Sequence, residues 1–208
     1  MRKILIPSAI ALAVAGSAVV FAQGAAAPAQ PGSKNPALVT AGTYAVEPTH
    51  TQILFAYDHM GFTDNIGLIT QPTGTLVLDP KKLSAATLSI DIPLVNLHTG
   101  IAKLDTHLAS ADFFDVAKFP TAKFVSTSVK IDGEDAEITG NLTIKGITKP
   151  VVIEAEFKGA GTGPMSKKAT IGFAGHTMIK RSEFGLAYAV PIVSDAVELK
   201  IVAAFERQ

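Results

Sequence analysis

The chain contains no cysteine and no tryptophan, and only 17% of its 208 residues are charged. Without cysteine there is no thiol nucleophile, no disulfide staple, and no Cys-ligated zinc or iron–sulfur centre. Stability must therefore come from apolar burial. No block of Lys and Arg occurs, which argues against nucleic acid as a partner and against docking on anionic membrane. Catalytic signatures are missing too. There is no G-x-S-x-G nucleophile elbow, no H-E-x-x-H pair, and no glycine-rich loop followed by G-K-[ST]. The glycines of residues 159–163 sit between strand-like runs and read as a turn.

The N-terminus has an export pattern. Arg2 and Lys3 precede an apolar stretch over residues 4–21, and Val20-Phe21-Ala22 fits a cleavage site, so residues 1–22 are expected to be a signal peptide and Gln23 the mature start. A second cut could follow Ala25-Ala26-Ala27. The alternative is an uncleaved anchor, but Pro7, Ser8, Gly16 and Ser17 interrupt the run. Removing Arg2 and Lys3 leaves 16 basic side chains against 18 acidic. Residues 23–41, rich in Ala, Pro, Gln and Gly, are expected to form a disordered leader. Residues 42–208 then form one domain, large enough to bury about 70% of its unfolded surface in a single core.

Within that domain the dominant pattern is alternation. Ile53, Phe55, Tyr57 and His59 share a face; so do Ala86, Leu88, Ile90 and Ile92. Val125, Val129 and Ile131 oppose Phe124, Ser126 and Ser128. Ala169, Ile171 and Phe173 follow. The last run sets Val197, Leu199, Ile201, Ala203 and Phe205 against Glu198, Lys200 and Glu206. Period-two patterning with one polar face indicates antiparallel strands, and many such strands with regular turns mean an all-β sandwich or barrel. The clearest pair spans residues 139–157. Its connection is expected at Gly146-Ile147-Thr148-Lys149-Pro150, with Val151, Ile153, Ala155 and Phe157 on one face after it. Residues 101–108 depart from the pattern. Ile101, Leu104 and Leu108 have helical spacing and predict a short helical insertion, with Ser110-Ala111-Asp112 capping a second turn.

Several motifs occur together in order. They are Tyr44-Ala45-Val46-Glu47-Pro48-Thr49-His50, residues 55–61 (FAYDHMG), Asp105-Thr106-His107-Leu108, Asp112-Phe113-Phe114-Asp115 with Phe119-Pro120, the G-x-L-T-x-x-G-x-T-x-P-V of residues 140–151, and Arg181-Ser182-Glu183-Phe184-Gly185. Together they resemble the YceI-like family of lipocalin-like lipid-binding proteins, over residues 44–206. The resemblance implies an extended eight-stranded antiparallel lipocalin-like barrel with a short helical insertion. It also implies a periplasmic or secreted protein holding a polyisoprenoid, isoprenoid quinone or fatty-acyl amphiphile in its lumen. Three positions depart from the family pattern: Thr51 stands where Ser is usual, Gly67-Leu68-Ile69 replaces Gly-x-Phe, and Asn96-Leu97-His98-Thr99 replaces a Ser-rich start.

Candidate ligand-binding residues are Phe55, Tyr57, His59, Phe62, Phe113, Phe114, Phe119, Phe124, Arg181, Phe184 and Tyr188. The aromatics either wall a lumen or form ordinary core. Arg181 either grips a phosphate or carboxylate head group through its planar fork or pairs with Asp105, Asp112 or Asp115. Asp112 and Asp115 flank two phenylalanines and are read as caps and turn residues in preference to an acid–base pair. His50, His59, His98, His107 and His176 have no metal-ligand spacing; adjacent Asp58 and His59 face opposite ways on a strand. No metal, no catalytic residue and no cofactor other than a bound lipid are expected. The alternative function is an envelope hydrolase or isomerase using His and Asp at the barrel mouth. A homodimer and transient membrane contact are compatible with the carrier reading.

Overall fold

The computed structural model describes residues 30–208. The expected signal peptide and residues 23–29 of the leader lie outside the described residues. The strands are β1 (Gly32–Ser33), β2 (Gly42–Val46), β3 (Gln52–His59), β4 (Thr63–Thr70), β5 (Thr73–Leu78), β6 (Thr87–Pro93), β7 (Leu97–His98), β8 (Thr121–Asp132), β9 (Asp135–Ile144), β10 (Ile147–Thr162), β11 (Ala169–Lys180) and β12 (Ala196–Arg207). One helix, α1 (Ala102–Ala109), interrupts them.

Eight strands close into an antiparallel ring in the order β2-β5-β6-β8-β9-β10-β11-β12 and back to β2. Closure removes the free edges that an open sheet of this size would present. The β3–β4 hairpin is an extension. β12 pairs with β2 through Phe205 to Arg207 and with β3 through Glu198 to Val202, so the sheet forks along β12. β7 adds to the outer edge of β4.

At the fork Ala204, paired with Gly172 of β11 on one side, has no strand partner on the β2/β3 side. Its amide donates to Thr51 Oγ1 at 3.0 Å and its carbonyl accepts from Glu47 N at 2.8 Å. Thr51 Oγ1 also donates to Glu47 O at 2.7 Å and is buried. One hydroxyl thus replaces a missing rung of the ladder, which is why Thr serves as well as Ser at this position. The Glu47 carboxylate gathers the connecting loop by accepting from the amides of Thr49 and His50 and from the Thr49 hydroxyl. Burial pushes its pKa up, but these bonds outweigh burial and hold it below the ordinary value.

Inward alternation is as expected along β3, β9, β10 and β12, but two bulges correct its phase. In β8 the register shifts between Ser126 and Ser128. Phe124 before the shift and Val129 and Ile131 after it therefore all face inward, while Val125 faces out. In β10 a shift between Phe157 and Gly159 does the same for Phe157 and Ala160. The β9–β10 connection is shorter than expected. It is the two residues Lys145 and Gly146, with φ 51° and 76°, the signature of a tight hairpin turn. Pro150 lies within β10, opposite Asn141, in a stretch that does not pair with β11, so no ladder bond is lost there.

The structure also corrects the N-terminal boundary. Residues 31–41 were expected to be disordered with the rest of the leader. Instead Gly32 and Ser33 pair with Gly161 and Ala160 of β10, and Lys34 forms ion pairs with Glu134 and Glu156 at 3.3 and 3.0 Å. Low hydrophobicity does not prevent a short segment from adding to an existing strand edge, because backbone bonds suffice. The helical insertion is where it was expected, one residue later than its pattern. Leu108 is buried and Leu104 half-buried, while Ile101 stays exposed. Asp112 makes no capping bond; Ser110 Oγ donates to His107 O instead.

Thr51→Val keeps the shape at the fork but leaves Ala204 N–H and Glu47 C=O without their partner, and should cost about 2 kcal/mol. Thr51→Ser loses one methyl and should cost about 0.8 kcal/mol or less. Denaturant unfolding of the two variants checks the order.

Candidate functional site: the barrel lumen

The barrel is hollow in two places. The larger chamber, ≈ 390 Å³, lies between β3, β4, α1, the turns of residues 110–119 and the loop of residues 186–194. The smaller, ≈ 180 Å³, lies towards the β2–β5–β6 end. Two glycines help to make this space. On β4 Gly67 faces Phe55 across the ladder, and on β9 Gly140 lies under Phe124; in both cases the ring leaves no room for a β-carbon. In each case the tip of the ring occupies the space that a side chain at the glycine would take.

Eight of the eleven candidate residues line the larger chamber: Phe55, Tyr57, His59, Phe113, Phe114, Phe124, Arg181 and Tyr188. Three do not. Phe62 sits at the β3–β4 turn and is 84% exposed, because strand alternation does not extend into the turn. Phe119 packs against the Gly146 turn. Phe184 is fully buried beside the β10 backbone, on the helical turn Arg181–Phe184. Asn65 lines the chamber and was not foreseen. It faces Tyr57 across the β3–β4 ladder and its Nδ2 donates to Tyr57 Oη at 3.4 Å. Only the pairing register could have shown it.

Polar lining groups gather at one end. His59, Asn65, Tyr57, His107 and Tyr188 all belong to the larger chamber. There His107 meets Phe113 and Tyr188 edge-on, with ring centres 5.0 and 5.3 Å apart, and the two aromatics are 5.4 Å apart. This cluster joins α1, the turn after it and the loop of residues 186–194 into one rim. The same loop is tied to β3 by a bridge between His59 and Val193 and by Ser194 N donating to Asp58 O.

Arg181 holds that loop, a role different from either one expected. It is buried, and its guanidinium donates to main-chain carbonyls: Nε to Ser194 O, Nη1 to Leu186 O and Tyr188 O, and Nη2 to Val193 O. Four of its five N–H groups are thereby used, so no free fork remains for a head group. Asp105, Asp112 and Asp115 are not its partners. Asp105 accepts from Thr99 N and Oγ1, Asp112 approaches His107 Nε2 at 3.6 Å, and Asp115 pairs with Lys118. Burial lowers the Arg181 pKa, opposed by the nearby Asp195 charge. Asp195 in turn accepts from Ser182 N and Oγ. The backbone bond from Ser182 is the first cause holding its pKa below the ordinary value, and the charge of Arg181 adds to it.

Among the described residues no group of three or more His, Asp or Glu side chains converges as metal ligands. His50 pairs with Glu47 and His176 with Glu198, at separate places on the outer surface. Asp112 and Asp115 do not face each other across the chamber as an acid–base pair.

A closed antiparallel barrel around an apolar lumen with one polar-rimmed mouth is a lipocalin-like barrel. Its family is the YceI-like domain family, which matches residues 44–205, and the chain belongs to it. The chain is 39% identical over 155 residues to protein YceI of Salmonella arizonae, covering 74% of this chain and 81% of the relative. The solved Campylobacter jejuni YceI protein is 31% identical with a TM-score of 0.64, covering 73% of this chain and 90% of that one. A polyisoprenoid-binding domain from Saccharophagus degradans shares the fold, with TM-score 0.60 at 15% identity, over 79% and 98% of the two chains.

Arg181→Lys keeps the charge but cannot span four carbonyls. It should cost about 2–4 kcal/mol, or roughly 5–10 °C in melting temperature. Asp195 has a depressed folded pKa, so its contribution is present above the ordinary value of 3.8 and is lost as pH falls through the folded pKa. The stability difference between wild type and Asp195→Asn should therefore shrink on acidification below pH 3.8, as thermal melts across that range would show.

Proposed function

We propose that the protein is an exported carrier that sequesters one amphipathic chain, an isoprenoid, isoprenoid quinone or fatty-acyl lipid, in its lumen. The observation that carries this reading is the apolar two-chamber lumen with its His, Asn and Tyr side chains gathered at one mouth, while the buried Thr51 hydroxyl in the far chamber is already bonded to backbone. Such a cavity falls in the size range of small-molecule sites and gives an amphiphile a single favoured direction. β12 has 12 residues, which at about 3.3 Å each and a tilt of about 40° gives a lumen about 30 Å long, comparable to the hydrocarbon thickness of a bilayer. Enclosing a chain of that length is favourable by about 25 cal/mol per Å² of apolar surface. The likeness to the polyisoprenoid-binding domain of Saccharophagus degradans supports the ligand class. Export rests on the signal pattern of residues 1–22. Family membership favours a binding protein over an enzyme.

The mouth also has an exposed apolar rim. Met60 and Phe62 at the β3–β4 turn, with Tyr188 and Ile192 on the loop of residues 186–194, all stand open to solvent. Because Met60 and Tyr188 line the chamber as well, the rim is continuous with the lumen. A brief contact of this rim with a bilayer would let a chain pass into the lumen without crossing water.

Mass spectrometry of an organic extract of the purified protein should show a stoichiometric long-chain lipid; a lipid-free extract together with no uptake from vesicles overturns the carrier reading. Phe113→Ala and Phe124→Ala should lower lipid occupancy several-fold, whereas Phe184→Leu, a core change outside both chambers, should lower stability by about 1 kcal/mol and leave occupancy unchanged. Combined Phe62→Ser and Ile192→Ser should slow loading from phosphatidylcholine vesicles about tenfold with equilibrium occupancy preserved, as stopped-flow transfer would record.

A further inference from the structure

The two chambers are neighbours along one axis, and five side chains line both: Ile53, Ile92, Phe124, Ile153 and Ile201. They come from β3, β6, β8, β10 and β12 and so form a collar around the lumen at mid-length. Phe124 is the one aromatic of the collar. Phe124 is held over Gly140 with no room for a β-carbon beneath it, and it sits just before the β8 bulge that turns Val129 and Ile131 into the far chamber. Beyond the collar the walls are aliphatic and aromatic, with Ala203 and Phe205 of β12 among them. The buried hydroxyl that reaches this chamber, Thr51, is already committed to the Glu47 and Ala204 backbone. The far end is covered by the helical turn Leu83–Ala85, with Leu83 among the lining residues.

We propose that the smaller chamber is a separate subsite for the distal, head-remote end of the bound apolar chain, and that the collar and this chamber together set the length of chain the protein accepts. The inference rests on the carrier reading above. A chain short enough to end at the collar fills the larger chamber alone. A longer one threads the collar and gains burial only until the smaller chamber is full. Side chains in the smaller chamber are thus length-determining residues, although they are remote from the mouth and the head group.

The test uses the full mature chain and a ladder of all-trans prenyl alcohols from farnesol through geranylgeraniol to solanesol, with affinities from competition against a fluorescent fatty acid. Wild-type affinity should rise with length and then level off. Ala203→Leu partly fills the smaller chamber. It should weaken binding of the longest prenol at least tenfold and change farnesol affinity by less than twofold. Phe205→Leu enlarges the same chamber and should move the plateau to longer chains, the opposite shift. Melting temperatures confirm that each variant is folded, and a shift in either variant alone, if that variant is folded, decides the matter. Equal losses for short and long prenols, or no change in either variant, overturn the length-setting role while leaving the carrier reading intact. Failure of the wild type to bind either the fluorescent fatty acid or any prenol overturns the carrier reading, and the subsite with it; binding of the fatty acid that no prenol displaces overturns the length-setting role for prenyl chains alone.

Discussion

The architecture depends on β12 having different neighbours along its two halves. A strand in a simple ring has one partner on each side; β12 has β11 throughout on one side, and β2 then β3 on the other. The lower half closes the eight-stranded ring through β2. The upper half carries the β3–β4 hairpin, which widens the barrel at that end. Where the partners change, Ala204 would have bare peptide groups, and Thr51 with Glu47 supplies their bonds. A break in a ladder is tolerable in a buried wall only when every backbone group still finds a partner. The wide mouth, the narrow far end and the polarity gradient between them all follow from this fork.

Hollowness has a different origin. A barrel of about eight strands can fill its interior with its own side chains. Here two inward-facing rings extend over glycines on the neighbouring strands, Phe55 over Gly67 and Phe124 over Gly140. The aromatic surface then becomes wall instead of filling. The cost of the glycines in strand propensity is offset by the packing of the rings on bare backbone. Ile69, where the family pattern has an aromatic, is buried lining two residues beyond Gly67 and pairs with Ile53.

The rim is held by a buried charge. Arg181 gathers four carbonyls of residues 186–194, a segment with no regular structure of its own to satisfy them. A loop that must stay in place over an open cavity cannot rely on core packing beneath it, and a planar cation with five directed donors is a suitable substitute. Asp195 and Ser182 brace the same corner from the strand side. Charge here serves shape, and the rim it supports is largely aromatic.

Much of the barrel was legible in the sequence because burial on one face of an antiparallel strand imposes alternation on local residue order. Ile53 to His59 and Val197 to Phe205 show it without interruption, and the helical spacing of Leu104 and Leu108 marks the insertion just as locally. The shared motifs identified the family for the same reason: turns and helix ends need particular residues at particular offsets. What only the tertiary structure decided is whatever depends on register and on loops. The bulge in β8 sets Phe124 and Val129 on one side, although their spacing alone puts them on opposite faces. The pairing of β3 with β4 brings Asn65 to Tyr57, and turn geometry sends Phe62 outward while Phe184 goes inward. Arg181 looked like a head-group ligand because a lone arginine beside an aromatic carries no trace of the carbonyls that a distant loop will bring to it. Local patterning records which way a side chain must point; the partner it meets there is set by chain segments far away in sequence.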